Sequence, residues 1–504
     1  MDNQRNKLKG GLLGILATLA GLSLGNAMAG LHHTWNNPIV SLGNRVVDHV
    51  PSSIKEFAIR TFGVNDKTFL ISTIVIVVIG LSFYIGRSYF SEKEIVARSI
   101  VIAMTVAASI AALFDPHSTL FSILPSVTTG FVTFLTLRWM KEQLQSSPEM
   151  DSGRRDLFRV VGVVGVATLA ATGLGKILQQ HASVQVERIK QFLPKAMKFL
   201  PKPPPDPAIH TPGLSSLFTP NEKFYRIDTA LSTPNISIDT WKLQIDGMVS
   251  NPKTFTYAEL MTRETFELDD TIACVSNEVG GNLVGNARWY GIRLDDLIRE
   301  SRPTSRADQV MGHSTDGFTA GFPLAALDGR DAMIALGMNG EVLPIDHGYP
   351  ARIIVPGLYG YVSATKWLTR IELTRFDQKQ GYWIPRGWSA QAPIKTQSRI
   401  DTPFDGFTVK PGPRAIAGVA WAPTRGISKV EVKIGSDTWR EATLGPELAK
   451  TTWRQWWIDW SPTSGHYQIS VRATDGNGDL QSQKRVAVEP NGAEGWHTII
   501  VQVK

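Results

Sequence analysis

The sequence predicts a multi-domain chain in three parts: N-terminal transmembrane α-helices, a mixed α+β domain, and a small C-terminal β-sandwich. Three observations predict it. Apolar residues concentrate before residue 180, a proline-rich run follows, and beyond it short β-rich runs alternate with turn signals. The 504-residue length agrees, since at roughly 100–200 residues per domain it accommodates two to four domains. The mean hydropathy of −0.06 looks ordinary only because it averages two unlike halves.

The membrane part is expected to occupy residues 1–180 with about five spans. Charge-free runs cover Gly10–Leu31, Phe69–Gly86, Ser99–Phe114, Pro116–Leu137 and Val160–Gly175. A helix needs about 20 mostly apolar residues to cross a bilayer, and about 17 at the short end. Arg5, Lys7 and Lys9 precede the first run, and basic residues crowd 87–98 and 138–159. Lys/Arg-rich short loops stay cytoplasmic, which puts everything after the fifth span outside. The basic 32–68 segment must also lie outside, and its length lessens the weight of its charges. The first run also reads as a secretory signal peptide ending at Ala27-Met28-Ala29. Arg154-Arg155 resembles a twin-arginine export signal, or is a positive-inside flank. The spans carry no charge, as expected of helices that anchor rather than transport. His32, His33 and His117 fall at span ends, so no haem is expected.

Composition narrows the rest. Lysines and arginines outnumber acids 52 to 45, giving +7, but without the clustered basic blocks of a nucleic-acid binder. The single cysteine, Cys274, excludes an intrachain disulfide and any multi-cysteine metal site. Residues 181–214 hold seven prolines and read as a stiff linker. From 215 to 400, strands are expected at Trp241–Ile245, Thr271–Val275 and Ala351–Val355, with helical turns at Thr256–Met261 and Leu294–Arg299. From 401 to 504, the runs Lys429–Ile434, Trp453–Trp460, Tyr467–Ala473 and Lys484–Val488 read as strands of a sandwich. Trp453, Trp456, Trp457 and Trp460 suit either its core or a partner surface.

Cys274 lies where a strand gives way to a polar, glycine-containing loop, Val275-Ser276-Asn277-Glu278-Val279-Gly280-Gly281. A thiolate there is either a nucleophile, with His313 or His347 as base, or a soft metal ligand. Four segments carry a resemblance. They are Cys274-x-x-Asn277, then Asn286 to Leu294, then Met338-Asn339-Gly340-Glu341-Val342-Leu343-Pro344 running on to Arg352, and finally Lys366-Trp367-Leu368. Together they resemble the sulfite oxidase family of molybdopterin enzymes, and Asn221-x-x-Phe224-Tyr225 resembles a cofactor contact of its bacterial methionine-sulfoxide-reductase branch. Residues 401–504 resemble the immunoglobulin-like dimerisation domain that often follows.

The resemblance implies a sulfite-oxidase-type domain with a molybdenum–molybdopterin cofactor, in which Cys274 is the metal ligand beside the pterin dithiolene. It implies His347, Arg352, Ala364, Thr365 and Lys366 at the pterin phosphate, with Asn221, Phe224, Tyr225, Asn277 and Ser314 as further cofactor contacts. Tyr382 or Trp383 would line the substrate pocket. It also implies a small-molecule substrate, an electron carrier, a homodimer through 401–504 and oxygen-atom transfer, which the span count places beside the plasma membrane on its outer face. One departure matters. Sulfite oxidases carry two arginines directly after the cysteine motif, where this chain has Glu278 and Val279. Arg288, Arg386 and Arg399 are candidates to compensate. The alternative is a membrane-tethered binding protein that kept the fold and lost the cofactor.

Overall fold

The computed structural model describes residues 2–32, 35–51, 66–91, 93–115, 118–145, 161–173, 193–231 and 236–504, with a few isolated positions between them. The Arg154-Arg155 pair, His33 and His117 lie outside the described residues. The chain divides into two compact units. The first runs from Met1 to Arg188 and takes in Thr229–Asn235; the second comprises the rest.

The first unit is helical: α1 (Asp2–Ala29), α2 (Pro38–His49), α3 (Asp66–Tyr89), α4 (Glu94–Leu113) and α5 (Leu124–Gln145). Among the described residues four segments are long and apolar enough to cross a membrane: Lys7–Ala29, Lys67–Tyr89, Glu94–Leu113 and Leu120–Leu144. The fifth expected span appears as a shorter apolar helix, Val161–Gly173. The first segment is the central one, with 50% of its window buried against 17–33% for the other three. Small residues make that possible. A Cβ on Gly14 would sit 2.5 Å from the Gly86 Cα of α3, so the two backbones touch. Helix α2 was not foreseen within the 32–68 segment. It is capped by the Asn37 side chain, which accepts from Val40 N–H at 3.0 Å. It is tied down by Asp115, which accepts from Ser41 Oγ at 2.6 Å and Asn44 Nδ2 at 2.8 Å.

In the second unit one sheet runs β2 (Lys253–Thr256), β1 (Lys242–Gly247), β10 (Leu368–Thr374), β5 (Gln309–Ser314), β6 (Thr319–Pro323). A second runs β3 (Thr265–Ala273), β4 (Val284–Arg293), β7 (Met333–Met338), β8 (Glu341–Val342), with β9 (Arg352–Ile354) also on β7. Buried apolar side chains such as Leu243, Ile245, Ile334 and Ile371 fill the core. The proline-rich stretch is not a free spacer from residue 193 onward. Lys198 bridges Phe266 in parallel along the open edge of β3, and Ala196 enters the core. Its prolines leave the edge little to pair with, but Lys198 supplies both an N–H and a carbonyl there.

The C-terminal region is β-rich. One sheet is β11 (Gln397–Thr402), β13 (Arg414–Trp421), β17 (Arg454–Trp460), β16 (Thr443–Leu444). The other is β12 (Thr408–Val409), β19 (His497–Val503), β18 (Gly465–Asp475), β14 (Ile427–Ile434), β15 (Arg440–Glu441). Ile416, Val430, Val432 and Val471 pack together between them. Strand β11 crosses the expected boundary at residue 400. The expected strand at Lys484–Val488 is reduced to a single bridge, Val486 with Glu494, because Pro490 cannot donate to a continuing ladder. Trp453, Trp456 and Trp460 are buried and Trp457 is half-buried, so most of this quartet serves the fold.

Candidate functional site

The site grows from the end of β3. Its even-numbered residues Phe266, Leu268 and Ile272 pack with Phe224, Trp289 and Ile354, so Cys274, two residues further on, leaves the sheet near that cluster. The loop after it is closed by its own backbone. Cys274 N–H donates to Leu283 O at 2.9 Å, Asn277 N–H to Cys274 O at 3.1 Å, and Leu283 N–H to Asn277 Oδ1 at 2.8 Å. Asn277 therefore spends its side-chain oxygen on holding the loop. Gly280 sits at φ +80°, and a Cβ there would meet the His497 ring at 2.3 Å. Arg399 donates to Gly281 O at 2.8 Å. Two residues of the β-rich region thus clamp the cysteine loop. Sequence reasoning named Arg399 only as a possible anion binder and missed His497.

Cys274 is buried, and burial pushes its thiol up. The Val275 and Ser276 N–H groups and the Ser276 hydroxyl pull the other way. Such an arrangement suits a thiolate that a soft metal would deprotonate. Tyr225 and Tyr359 both feel its charge. Burial holds the Tyr225 phenol well above its usual range and pushes Tyr359 up to about 12, so both stay protonated donors. Tyr359 was not anticipated; Gly357 and Gly360 around it were the available turn signal. Tyr382 joins a different aromatic group, with Phe318 at 5.7 Å, Trp383 at 5.2 Å and the Arg386 guanidinium 3.7 Å above its ring.

The other expected cofactor residues come together from distant segments. Phe224 packs edge-on against His347 at 5.6 Å and Trp289 at 5.9 Å, and stacks with Tyr225. His347 bonds Asn221 O through Nε2 at 2.8 Å, while Asn339 Nδ2 holds the Asn221 side chain at 2.9 Å. Burial, with Arg352 and Lys366 nearby, lowers His347 to about 4. It is neutral at pH 7 with Nδ1 free to accept. Arg352 lies over Trp289 at 5.1 Å and donates to His347 O at 3.0 Å and Ala364 O at 3.4 Å. Burial lowers it to about 10, so it stays charged, and no carboxylate among the described residues pairs with it. Lys366, lowered to about 8 by burial, reaches Asp228 at 2.5 Å and Asp346 O at 3.2 Å. Thr365 is buried beside Gly312, and a Cβ on Gly348, which sits at φ +113°, would lie 3.0 Å from Lys366 Cα, so glycine is required there. Ser314 ends β5 opposite Leu368, next to Asp316.

Buried polar atoms are normally paired. Here Arg352 Nε, Asp270 Oδ1, Trp289 Nε1, Thr315 Oγ1 and Asp316 Oδ2 have no hydrogen-bond partner among the described residues. A pterin with a phosphate tail supplies both acceptors and donors, so the residues present fit that group. The candidate compensating arginines are otherwise engaged. Arg288 is bidentate on Asp269 at 2.7 and 2.8 Å, and Arg399 is on Asp401 at 2.6 Å. Arg386 donates to Tyr382 O at 2.5 Å, and Glu278 is exposed.

Residues 230–383 match the family model described as an oxidoreductase molybdopterin binding domain. The chain is 30% identical over 148 residues to the uncharacterized oxidoreductase YuiH of Bacillus subtilis, covering 72% of that protein and 29% of this chain. It is 28% identical over 341 residues to the mitochondrial sulfite oxidase of Rattus norvegicus, spanning 57% of this chain and 62% of that relative's length. The sulfane dehydrogenase SoxCD of Paracoccus pantotrophus shares the fold, with a TM-score of 0.51 at 20% identity over 63% of this chain and 94% of that one. The chain belongs to the sulfite-oxidase-type family of molybdopterin-dependent oxidoreductases. The cofactor that this membership implies is molybdenum bound to molybdopterin.

Proposed function

We propose that this protein is a membrane-anchored oxidoreductase that transfers an oxygen atom, with two electrons, to or from a small substrate outside the cytoplasm. The observation that carries the reading is the pairing of one buried cysteine at a strand end with a buried, carboxylate-free Arg352 beside Lys366 and His347. In this reading Cys274 ligates the metal. Arg352, Lys366 and the Ala364–Thr365 backbone hold the phosphate end, where a planar guanidinium suits two parallel hydrogen bonds. Neutral His347 accepts from the pterin, and Ser314 and Asn221 border it. Phe224 and Tyr225 wall the ring side. Asn277 keeps the cysteine loop closed, and Tyr382 lines the substrate approach. The molybdenum centre, when bound, supplies the oxo chemistry. The protein orients the substrate, excludes water, and keeps Tyr225 and Tyr359 protonated as donors near the sulfur.

The engaged arginines and exposed Glu278 support a neutral substrate, such as a sulfoxide, over sulfite. The four long apolar helices, with the shorter Val161–Gly173 helix as a fifth crossing, and the basic flanks support an anchored chain with its C-terminus outside. The two sheets of 401–504 support an immunoglobulin-like sandwich, a possible dimerisation unit. Metal analysis and pterin fluorescence on purified full-length protein test the core of this reading; equimolar molybdenum and pterin are expected, and neither would sink it. A reporter fused after Lys504 should be active only as an extracytoplasmic one. Assays with sulfite and with methionine sulfoxide test the substrate; micromolar sulfite turnover would refute the neutral-substrate choice.

A further inference from the structure

The helical unit contains a cavity of about 770 Å³ walled by α1 to α5. Its size falls within the usual roughly 300–1,000 Å³ of small-molecule sites. The walls are almost wholly apolar. Five threonines face it, and each hydroxyl is satisfied by its own helix: Thr18 by Gly14 O, Thr73 by Phe69 O, Thr105 by Val101 O, Thr129 by Pro125 O and Thr133 by Thr129 O. Two lining donors differ. Ser126 Oγ, on a residue only 1% exposed, and Arg45 Nε are buried without a hydrogen-bond partner among the described residues. Unpaired donors in an apolar enclosure carry a desolvation penalty unless a ligand accepts from them.

The electrostatics narrow the ligand. Arg45 Nη2 is already paired with Asp48 at 2.8 Å, so its charge is offset while its Nε–H still lacks an acceptor. That favours a neutral acceptor over an anionic headgroup. Val77, on the lining, is 56% exposed, so the enclosure communicates with its surroundings. Resting on the membrane reading above, we propose that this cavity binds a lipid-soluble quinone, with Ser126 and Arg45 donating to its carbonyl oxygens. A flat ring bearing two neutral acceptors matches two donors in apolar walls, and its isoprenoid tail leaves past Val77 into lipid. For the sulfoxide substrate favoured above, oxidation of the quinol to the quinone releases two electrons and two protons, which balance reduction of the sulfoxide to the sulfide with its oxygen leaving as water. A quinone couple therefore matches the electron and proton count of that reaction.

The test uses the full chain in lipid nanodiscs, titrated with a benzoquinone bearing a ten-carbon tail. Saturable binding at one site is expected. Ser126→Ala, a gentle change, should weaken it about 5-fold, and Arg45→Met about 10-fold. Ala107→Trp, which fills the cavity from its lining, should abolish it. Equal affinity across all three variants would mean partition into lipid only and would overturn the proposal, as would a retained phospholipid that the quinone cannot displace. Carbonate extraction separates the failures. A chain that stays with the membrane yet binds no quinone sinks this inference alone, whereas a chain released into solution sinks the membrane reading with it.

Discussion

Replacing Lys366 with Met separates what the anion cradle does for the fold from what it does for the cofactor. Lys366 Nζ lies 2.5 Å from Asp228 Oδ2, and their side chains are 10% and 4% exposed. Removing one partner of a buried pair costs about 3–5 kcal/mol, because the other charge is left desolvated. Arg226 still contacts Asp228 at 2.9 Å, so the low end, about 3 kcal/mol, applies to Lys366→Met. At about 2–4 °C per kcal/mol, the apo-protein should melt roughly 6–12 °C lower by tryptophan fluorescence. Adding Asp228→Ala should recover most of that loss, since Arg226 is 31% exposed and can be solvated. Pterin retention should fall in both variants alike, because the cation is missing in both. A single variant as stable as the parent would show that the pair is not truly desolvated. Pterin content restored in the double variant would show that Lys366 acts only through Asp228.

Three further outcomes are expected. Cys274→Ser should abolish turnover while the pterin is still retained, because Ser offers a hard oxygen in place of a soft sulfur; near-parental turnover would disprove the ligand role. Burial holds the Asp270 carboxyl well above the usual range, so the folded apo-protein binds that proton more tightly than the unfolded chain. Its contribution to stability is present below about pH 4 and is lost as pH rises above it. Urea midpoints across pH 4–7 should therefore fall in the parent and flatten in Asp270→Asn, and identical profiles would contradict the burial argument. Gly280→Ala should lower turnover more than it lowers the melting temperature of the β-rich region, because φ +80° and the His497 ring both reject a Cβ beside the cysteine loop. Unchanged turnover would show that the clamp does not position Cys274.

Much of the site was legible because family motifs are local. The cysteine loop, the 338–352 run and Lys366 each announce themselves within a few residues. Their convergence was not legible. Asn221 meets His347 and Asn339 across more than a hundred residues, and Asp228 meets Lys366 likewise. Tyr359, which feels the Cys274 charge, was not legible for the same reason.

The sequence by itself determined the apolar helices, the switch to β-rich texture after the proline run, and the residue types that the proposed cofactor site would use. Helix length, strand alternation and short motifs are all written in neighbouring residues. Only the tertiary structure decided which charges are available. Arg288 is committed to Asp269, Arg399 to Asp401 and the cysteine loop, while Arg352 has no carboxylate partner among the described residues. It also left Asp270 Oδ1 buried without a hydrogen-bond partner among the described residues and set Lys198 along the edge of β3. Availability of a charge depends on what long-range folding sets against it, and that is a property of pairs, which no single stretch of sequence contains.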